Sequence, residues 1–306
     1  MKFELTGLTN ALTDITFRVT EAELESIGIK KGSYTPLRNI NQSGFEKVLR
    51  RKQIKYNAAG SSANVIFNAS KLGLRTSLFG SVGCDEKGEN YIRVLNESNV
   101  TPFITQYSGD SGFCYILISP DGERTNTADI GVSGNFDFDF KHLRNTEFIH
   151  TSGYELATNP EKILEALAYA KKCSVKLSFD LADKTMVKKE KTSIEKLLEK
   201  IDILFVTEEE AEELTGKSPH KSLDLLSEIC PIVALKQGRK GSVVKSKNKK
   251  RKIEAYPVKV VNTCGAGDAY ASGFLFAHMR GFSLENCGSM ASYIASRVCA
   301  SNEAHL

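Results

Sequence analysis

Residues 260–275 read "VVNTCGAGDAYASGFL". Gly265 and Gly267 bracket Ala266, Asp268 follows, and the apolar spacing predicts a helix over roughly 268–280. The first N–H groups of a helix have no intrahelical partners. Glycines let such amides crowd around an anion, and the helix dipole adds to the attraction. Gly265, Ala266 and Gly267 are therefore a candidate anion cradle. Asp268 is the odd member, because a carboxylate repels an anion unless its charge is used. The use that fits is a general base, which deprotonates a hydroxyl attacking a phosphoryl group while the amides steady the transferring oxygens. An ordinary helix N-cap is the competing structural reading of the same aspartate. Two other glycine motifs fail on spacing. A dinucleotide fingerprint would meet Tyr270 at its last glycine, and the nearest Walker-type loop, "GCDEKGEN" at 83–90, has Glu89 and Asn90 where Lys and Ser/Thr belong.

Outward from this stretch, strand-length apolar runs alternate with helical spacing. "FELTGL", "TSLFGSVG", "EFIHTSG", "VKLSFDLAD", "DILFVT" and "IVALKQG" read as strands. "SANVIFNASKLG", "EKGENYIRVLNESN", "NPEKILEALAYAKKC", "SIEKLLEKI", "EEEAEELTG" and "KSLDLLSEI" read as helices. Such alternation implies an α/β fold, a doubly wound and mainly parallel sheet flanked by helices. Two segments break the rhythm, roughly 14–45 and 101–132. Their turn chemistry, such as Pro120-Asp121-Gly122, reads as β-hairpin material forming a small sheet or lid over the strand ends. One domain over 1–306 is expected. No convincing helix precedes "SGFEKVLRR" in the first of these segments.

The 306 residues carry 41 basic and 37 acidic side chains, a formal charge of +4, too balanced to argue for a nucleic-acid or membrane partner. The run "KSKNKKRK" at 245–252 reads as a solvated hairpin tip. Seven cysteines without a C-x-x-C pair fit reduced thiols and a cytoplasmic location. "MKFELTGLTNAL" reads as a strand rather than a signal peptide. The five histidines show no metal-ligand spacing, so no structural zinc is expected.

"NTCGAGDAYASGFL" closely resembles the C-terminal signature of the ribokinase-like, or PfkB-type, carbohydrate and nucleoside kinases, usually D-T-x-G-A-G-D. "AAGSSANVIFNASKLGLRTSLFGSVG" looks like the family's N-terminal signature, "SPDGERTNTADIG" like its lid segment, and "GLTNALTDITFRV" like the opening of the adenosine-kinase branch. The resemblance covers nearly the whole chain. It implies Mg²⁺- and ATP-dependent phosphorylation of a primary hydroxyl, in a monomer or homodimer. It gives Asp268 the role of base and Gly265, Ala266 and Gly267 that of anion hole. Asn10, Asp14, Gly60, Ser61 and Asn64 match acceptor-binding positions. Arg124, Thr207, Glu210, Gly238 and Gly241 match the nucleotide side, with Glu210 organising Mg²⁺ through water. The acceptor reads first as an adenosine-like nucleoside, with Phe17, Tyr34, Phe113, Tyr115 and Tyr154 as candidate base walls. A sugar or polyol is the alternative, and a non-catalytic nucleoside binder on the same fold is a further one.

Three positions depart from the family pattern. Thr207 stands for the asparagine of N-x-x-E, and Ala59 for the first hinge glycine. Asn262 replaces the aspartate that helps hold a monovalent cation in relatives. A neutral amide holds K⁺ less well than a carboxylate. Exchanging a bulky inert cation for K⁺ is therefore expected to leave the initial rate nearly unchanged; a strong rise would refute this.

Overall fold

In the computed structural model, residues 2–247, 249–301 and 304–306 are described, apart from the side chain of Tyr34. The alternation is realised as a nine-stranded sheet. From its middle outward run β1 (Phe3–Leu8), β5 (Thr76–Gly83) and β6 (Val100–Tyr107) to one edge. Toward the other run β9 (Thr146–Ser152), β10 (Lys176–Asp180), β11 (Ile203–Thr207) and β12 (Ile232–Lys236), all parallel. The antiparallel hairpin β13 (Ser242–Ser246) and β14 (Lys249–Ile253) closes that edge. Four successive exposed positions of β14 belong to the basic run, and edge lysines discourage pairing with another chain. The tip residue of that run, Asn248, lies outside the described residues.

Helices cover both faces. α3 (Ser61–Lys71), α10 (Ala266–Met279) and α11 (Leu284–Cys299) share one core with Phe205, Phe274 and Leu78. α10 is buried from Ala269 through Leu275, which explains its almost continuous apolar sequence. On the other face α6 (Pro160–Lys172), α7 (Lys184–Leu198), α8 (Glu208–Thr215) and α9 (Pro219–Ile229) enclose a second core around Phe179, Leu177 and Leu204. Each fully buried Leu or Phe contributes roughly 1.5–3 kcal/mol of transfer free energy. Among the described residues no helix is long and apolar enough to cross a membrane. All seven cysteines are unpaired.

The small sheet has the order β3 (Tyr34–Pro36), β8 (Arg124–Asp129), β7 (Phe113–Ile118), β2 (Leu12–Arg18), β4 (Lys55–Ala59). Its boundaries differ from the sequence reading of 14–45 and 101–132. Residues 100–107 pair along β5 in the large sheet, through the crossover helix α4 (Glu86–Glu97). As an edge strand carrying Pro102, β6 is only half-buried, and its pattern mimics hairpin material. β4 lies outside the first expected segment yet pairs with β2. One unexpected helix fills what read as β-rich chain, α1 (Glu21–Ile27), whereas α2 (Gln42–Leu49) is the helix expected at "SGFEKVLRR". α1 carries a readable start signal, a capping box between Thr20 and Glu23, and ends at left-handed Gly28. Both helices pack on the outer lid face through Phe17, Leu24, Ile27, Phe45 and Leu117.

The chain enters the lid at Asn10 and Ala11 and leaves it at Gly60. Gly60 has φ +123°, and a β-carbon there would collide with the Asn10 carbonyl and the Thr9 hydroxyl. Gly73 has φ +91° but open space around it. Gly73→Ala is expected to cost only the left-handed backbone penalty, about 1–2 kcal/mol. Gly60→Ala should lose clearly more in chemical denaturation. Equal losses would show that the close approach at Asn10 is unimportant.

Candidate active site

The parallel strands end along one edge, and the site is built there. β1 delivers Asn10, β9 leads into Ser152 and Glu155, and β10, β11 and β12 end in Asp180, Thr207 and Lys236. The N-termini of α3 and α10 meet above this edge.

Gly265 is the N-cap residue of α10, left-handed at φ +71° and without a capping side chain. Asp268 lies in the first turn and caps nothing. Its Oδ1 accepts from Ser61 Oγ at 2.8 Å and its Oδ2 from Asn64 Nδ2 at 2.9 Å. Burial pushes the carboxyl up to about 6; the Ser61 and Asn64 hydrogen bonds oppose the rise, Asp180 adds to it and Lys236 opposes it. Asn262 Oδ1 accepts from Cys264 N at 2.9 Å and shapes the loop before the glycines.

Asp14 projects from β2 into the same space. Burial pushes it to about 7, Arg124 pulls down and Asp268 pushes up. The guanidinium of Arg124, on β8, lies against Cys264. The lid thus sits down on the anion loop. Its register puts Asp14 beside Cys114 and Asn57, so the underside carries Leu12, Asp14, Cys114, Ile116, Arg124 and Asn126. The opposite face carries Phe17, Phe113 and Tyr115; Tyr115 packs edge-on against Phe17, Phe45 and Phe113, and Phe17 lies tilted against Phe45. Those three expected base walls therefore point away from the site. Tyr154, at the start of α5 (Gly153–Thr158), is half-exposed, and partial burial with the nearby charges of Asp183 and Asp268 raises its hydroxyl. The side chain of Tyr34 lies outside the described residues.

Three amide oxygens around this space, of Asn10, Asn64 and Asn126, are buried without a partner. Two are fixed in orientation by chemistry. Asn64 must turn its NH₂ to the Asp268 carboxylate, which only accepts. Asn10 Nδ2 donates to Thr158 Oγ1 at 3.1 Å, because that hydroxyl already donates to the Tyr154 carbonyl at 2.9 Å. Behind them Glu155, fully buried and pushed to about 7 chiefly by burial, accepts from Asn10 N, Ser62 Oγ, Ser152 N and Ser152 Oγ. It ties the lid entry to α3.

On the other side of Gly267 a cleft of about 400 Å³ is lined by Ala182, Asp183, Lys184, Thr207, Glu210, Lys236, Gln237 and Gly238. Thr207 and Glu210 form a capping box at the start of α8, 2.8 Å from Thr207 N to Glu210 Oε2 and 3.3 Å from Glu210 N to Thr207 Oγ1. Burial raises the Glu210 carboxyl, against Lys236. Gly238 (φ +56°) lines the cleft, while Gly241 (φ +87°) packs against the Ile253 carbonyl instead. Asp180, Lys236 and Glu155 were not singled out in the sequence. Asp180 and Lys236 left a trace there, each being the charged residue that ends an apolar strand, "LSFD" and "VALK".

The chain matches the pfkB family of carbohydrate kinases over residues 22–305. It is a member of that family. The 5-dehydro-2-deoxygluconokinase of Bacillus subtilis is 30% identical over 259 residues, covering 78% of this chain and 79% of that protein. The crystal structure of adenosine kinase from Sinorhizobium meliloti superposes with a TM-score of 0.90 at 26% identity, over 100% of this chain and 96% of that one. A probable sugar kinase from Rhizobium etli has the same fold, TM-score 0.90 at 23% identity, over 100% of this chain and 96% of that one. As a pfkB-family kinase the protein is a phosphotransferase with a hydroxyl acceptor, and the family uses ATP.

The raised Asp14 carboxyl has a stability consequence. A carboxyl with a folded pKa of about 7 against an ordinary 3.8 favours folding fully below 3.8 and loses that contribution as pH rises toward 7. Asp14→Asn is expected to raise the unfolding temperature at pH 8 relative to the parent, and much less at pH 4. An equal change at both, or a loss at pH 8, would contradict the burial of that charge.

Proposed function

We propose that the protein transfers the γ-phosphate of ATP to a primary hydroxyl of a small polyhydroxylated acceptor, sugar or nucleoside. Asp268 is the general base and the amides at Gly265, Ala266 and Gly267 are the anion hole. The observation that carries this reading is Asp268 itself, which stands in the first turn beside bare glycines, caps no helix, and is aimed by Ser61 and Asn64 toward the space beneath the lid.

The acceptor hydroxyl gives its proton to Asp268 and its oxygen bonds to phosphorus; the bond to the ADP oxygen breaks, and the amides hold the equatorial oxygens meanwhile. Desolvation leaves Asp268 a stronger base than a free carboxylate while still ionised near neutrality. Asp14 accepts hydrogen bonds from acceptor hydroxyls, and Arg124 brings positive charge from the lid. Among the described residues no group of three or more His, Cys, Asp or Glu forms a metal cage. Mg²⁺ keeps most of its waters and binds chiefly through substrate phosphates, and Glu210, which lines the nucleotide-side cleft, would hold one of those waters. When bound, Mg²⁺ neutralises the developing phosphate charge.

The lid underside favours a sugar or polyol over a purine nucleoside. Three unpartnered amide oxygens and the Asp14 carboxylate all seek donors, which hydroxyls supply. Three of the five aromatic candidates stack on the outer face.

The test is ADP release with Mg²⁺-ATP and a panel of sugars, sugar acids and nucleosides. Asp268→Asn should abolish turnover and spare acceptor affinity. The parent's kcat/KM should rise with pH through about 6 and then level. Acceptor binding without ADP release by the parent would make it a binding protein instead.

A further inference from the structure

Lys236 ends β12 between the anion loop and the nucleotide-side cleft. Its Nζ donates to Asp180 Oδ2 at 2.6 Å. An ammonium carries three donors, and this is the one bond that Lys236 Nζ makes with a described residue. A β-carbon built on Gly267 would lie 3.4 Å from Lys236 Nζ and, its chain neighbours and own helix backbone aside, would meet no other described atom within 4 Å. The open side of the anion-hole glycine is therefore bounded by an ammonium. The Lys236 side chain is 13% exposed and that of Asp180 4%, so bulk water screens neither strongly. Burial works against the charge of Lys236, but Asp180, Glu210 and Asp268 outweigh it and hold the ammonium protonated.

A salt bridge this buried contributes little to stability relative to an apolar pair of the same volume, because desolvation offsets the attraction. The pair does something more specific here. Asp180 fixes the direction of one N–H, and the other two are left toward the space beside Gly267.

We propose that Lys236 is a further catalytic residue of the phosphoryl transfer, contacting the migrating phosphoryl oxygens from the side opposite Asp268, with Asp180 as the positioning residue that aims it. The ammonium donates hydrogen bonds and exchanges no proton. The acceptor's proton still goes to Asp268, and the bond broken is still that between the γ-phosphorus and the ADP oxygen. This rests on the kinase reading above, and it assigns a donor that the glycine signature does not contain.

The experiment compares the parent with Lys236→Met, Lys236→Arg and the double variant Lys236→Met/Asp180→Asn. Loss of one well-placed transition-state donor costs about 10²–10³ in kcat, and Lys236→Met is expected to show a loss of that size with little change in the acceptor KM. Affinity measured calorimetrically should fall for the non-hydrolysable triphosphate AMP-PNP and stay unchanged for ADP. Lys236→Arg should restore part of both. Removing the lysine alone leaves the buried Asp180 carboxylate without its counter-ion, keeping only the Ala182 N–H bond, so the double variant separates chemistry from folding. It should recover the parent's unfolding temperature and ADP affinity while remaining slow and unable to distinguish AMP-PNP from ADP. Near-parental kcat in the folded double variant, or equal losses of AMP-PNP and ADP binding, would reduce the pair to a structural bridge. A parent that turns over no acceptor would instead sink the kinase reading, whatever the variants bind.

Discussion

The two hydrogen bonds that reach Asp268 from Ser61 and Asn64 hold the site in one piece. They cross between helices more than 200 residues apart in sequence, at separations of 207 and 204. One helix follows the lid's return strand, and the other follows the glycine loop. Without these donors the carboxylate would be free to fold back as a cap on its own helix, and its direction toward the lid would be lost. In the proposed reaction, desolvation, anion hole and acceptor pocket all acquire meaning from that direction.

Buried charge is the recurring cost. Asp14, Glu155 and Asp268 all sit well above the ordinary carboxylate range, each chiefly through burial. Glu155 has four donors and repays the arrangement structurally. Asp14 and Asp268 are only partly buried, and under the proposed function an acceptor would supply their further donors. Sites of this kind trade stability for preorganisation.

The large sheet was legible because parallel strands buried on both faces write themselves as short apolar runs between amphipathic helices. "VALK" and "LSFD" show this with little ambiguity. The lid was less legible. β6 has the half-buried look of a hairpin strand, and only its crossover partner β5 assigns it to the large sheet. α1 was missed although Thr20 and Glu23 announce it, because its seven residues are too few to establish a period. The anion loop and Asp268 stood out because a carboxylate among glycines at a helix start has a ready chemical use, although Gly265 also has a structural one: it is left-handed, and a β-carbon there would collide with the Ala304 carbonyl. Which face Phe17, Phe113 and Tyr115 occupy was not readable, since strand alternation gives parity but not which parity meets the ligand. Lys236 was hidden for a related reason: its partner Asp180 is 56 positions away.

The two-faced construction of the lid separates two tasks that many proteins must solve with the same residues. Phe17, Phe45, Tyr115 and Leu117 form a self-sufficient outer core with α1 and α2. Leu12, Ile116, Asn126 and their neighbours, alternating with them along the same strands, carry none of that load. Exchanges on the inner parity can therefore retune which molecule is accepted while the cap keeps its shape, and a lineage built on this frame can drift from one acceptor to another by single steps without passing through an unfolded intermediate.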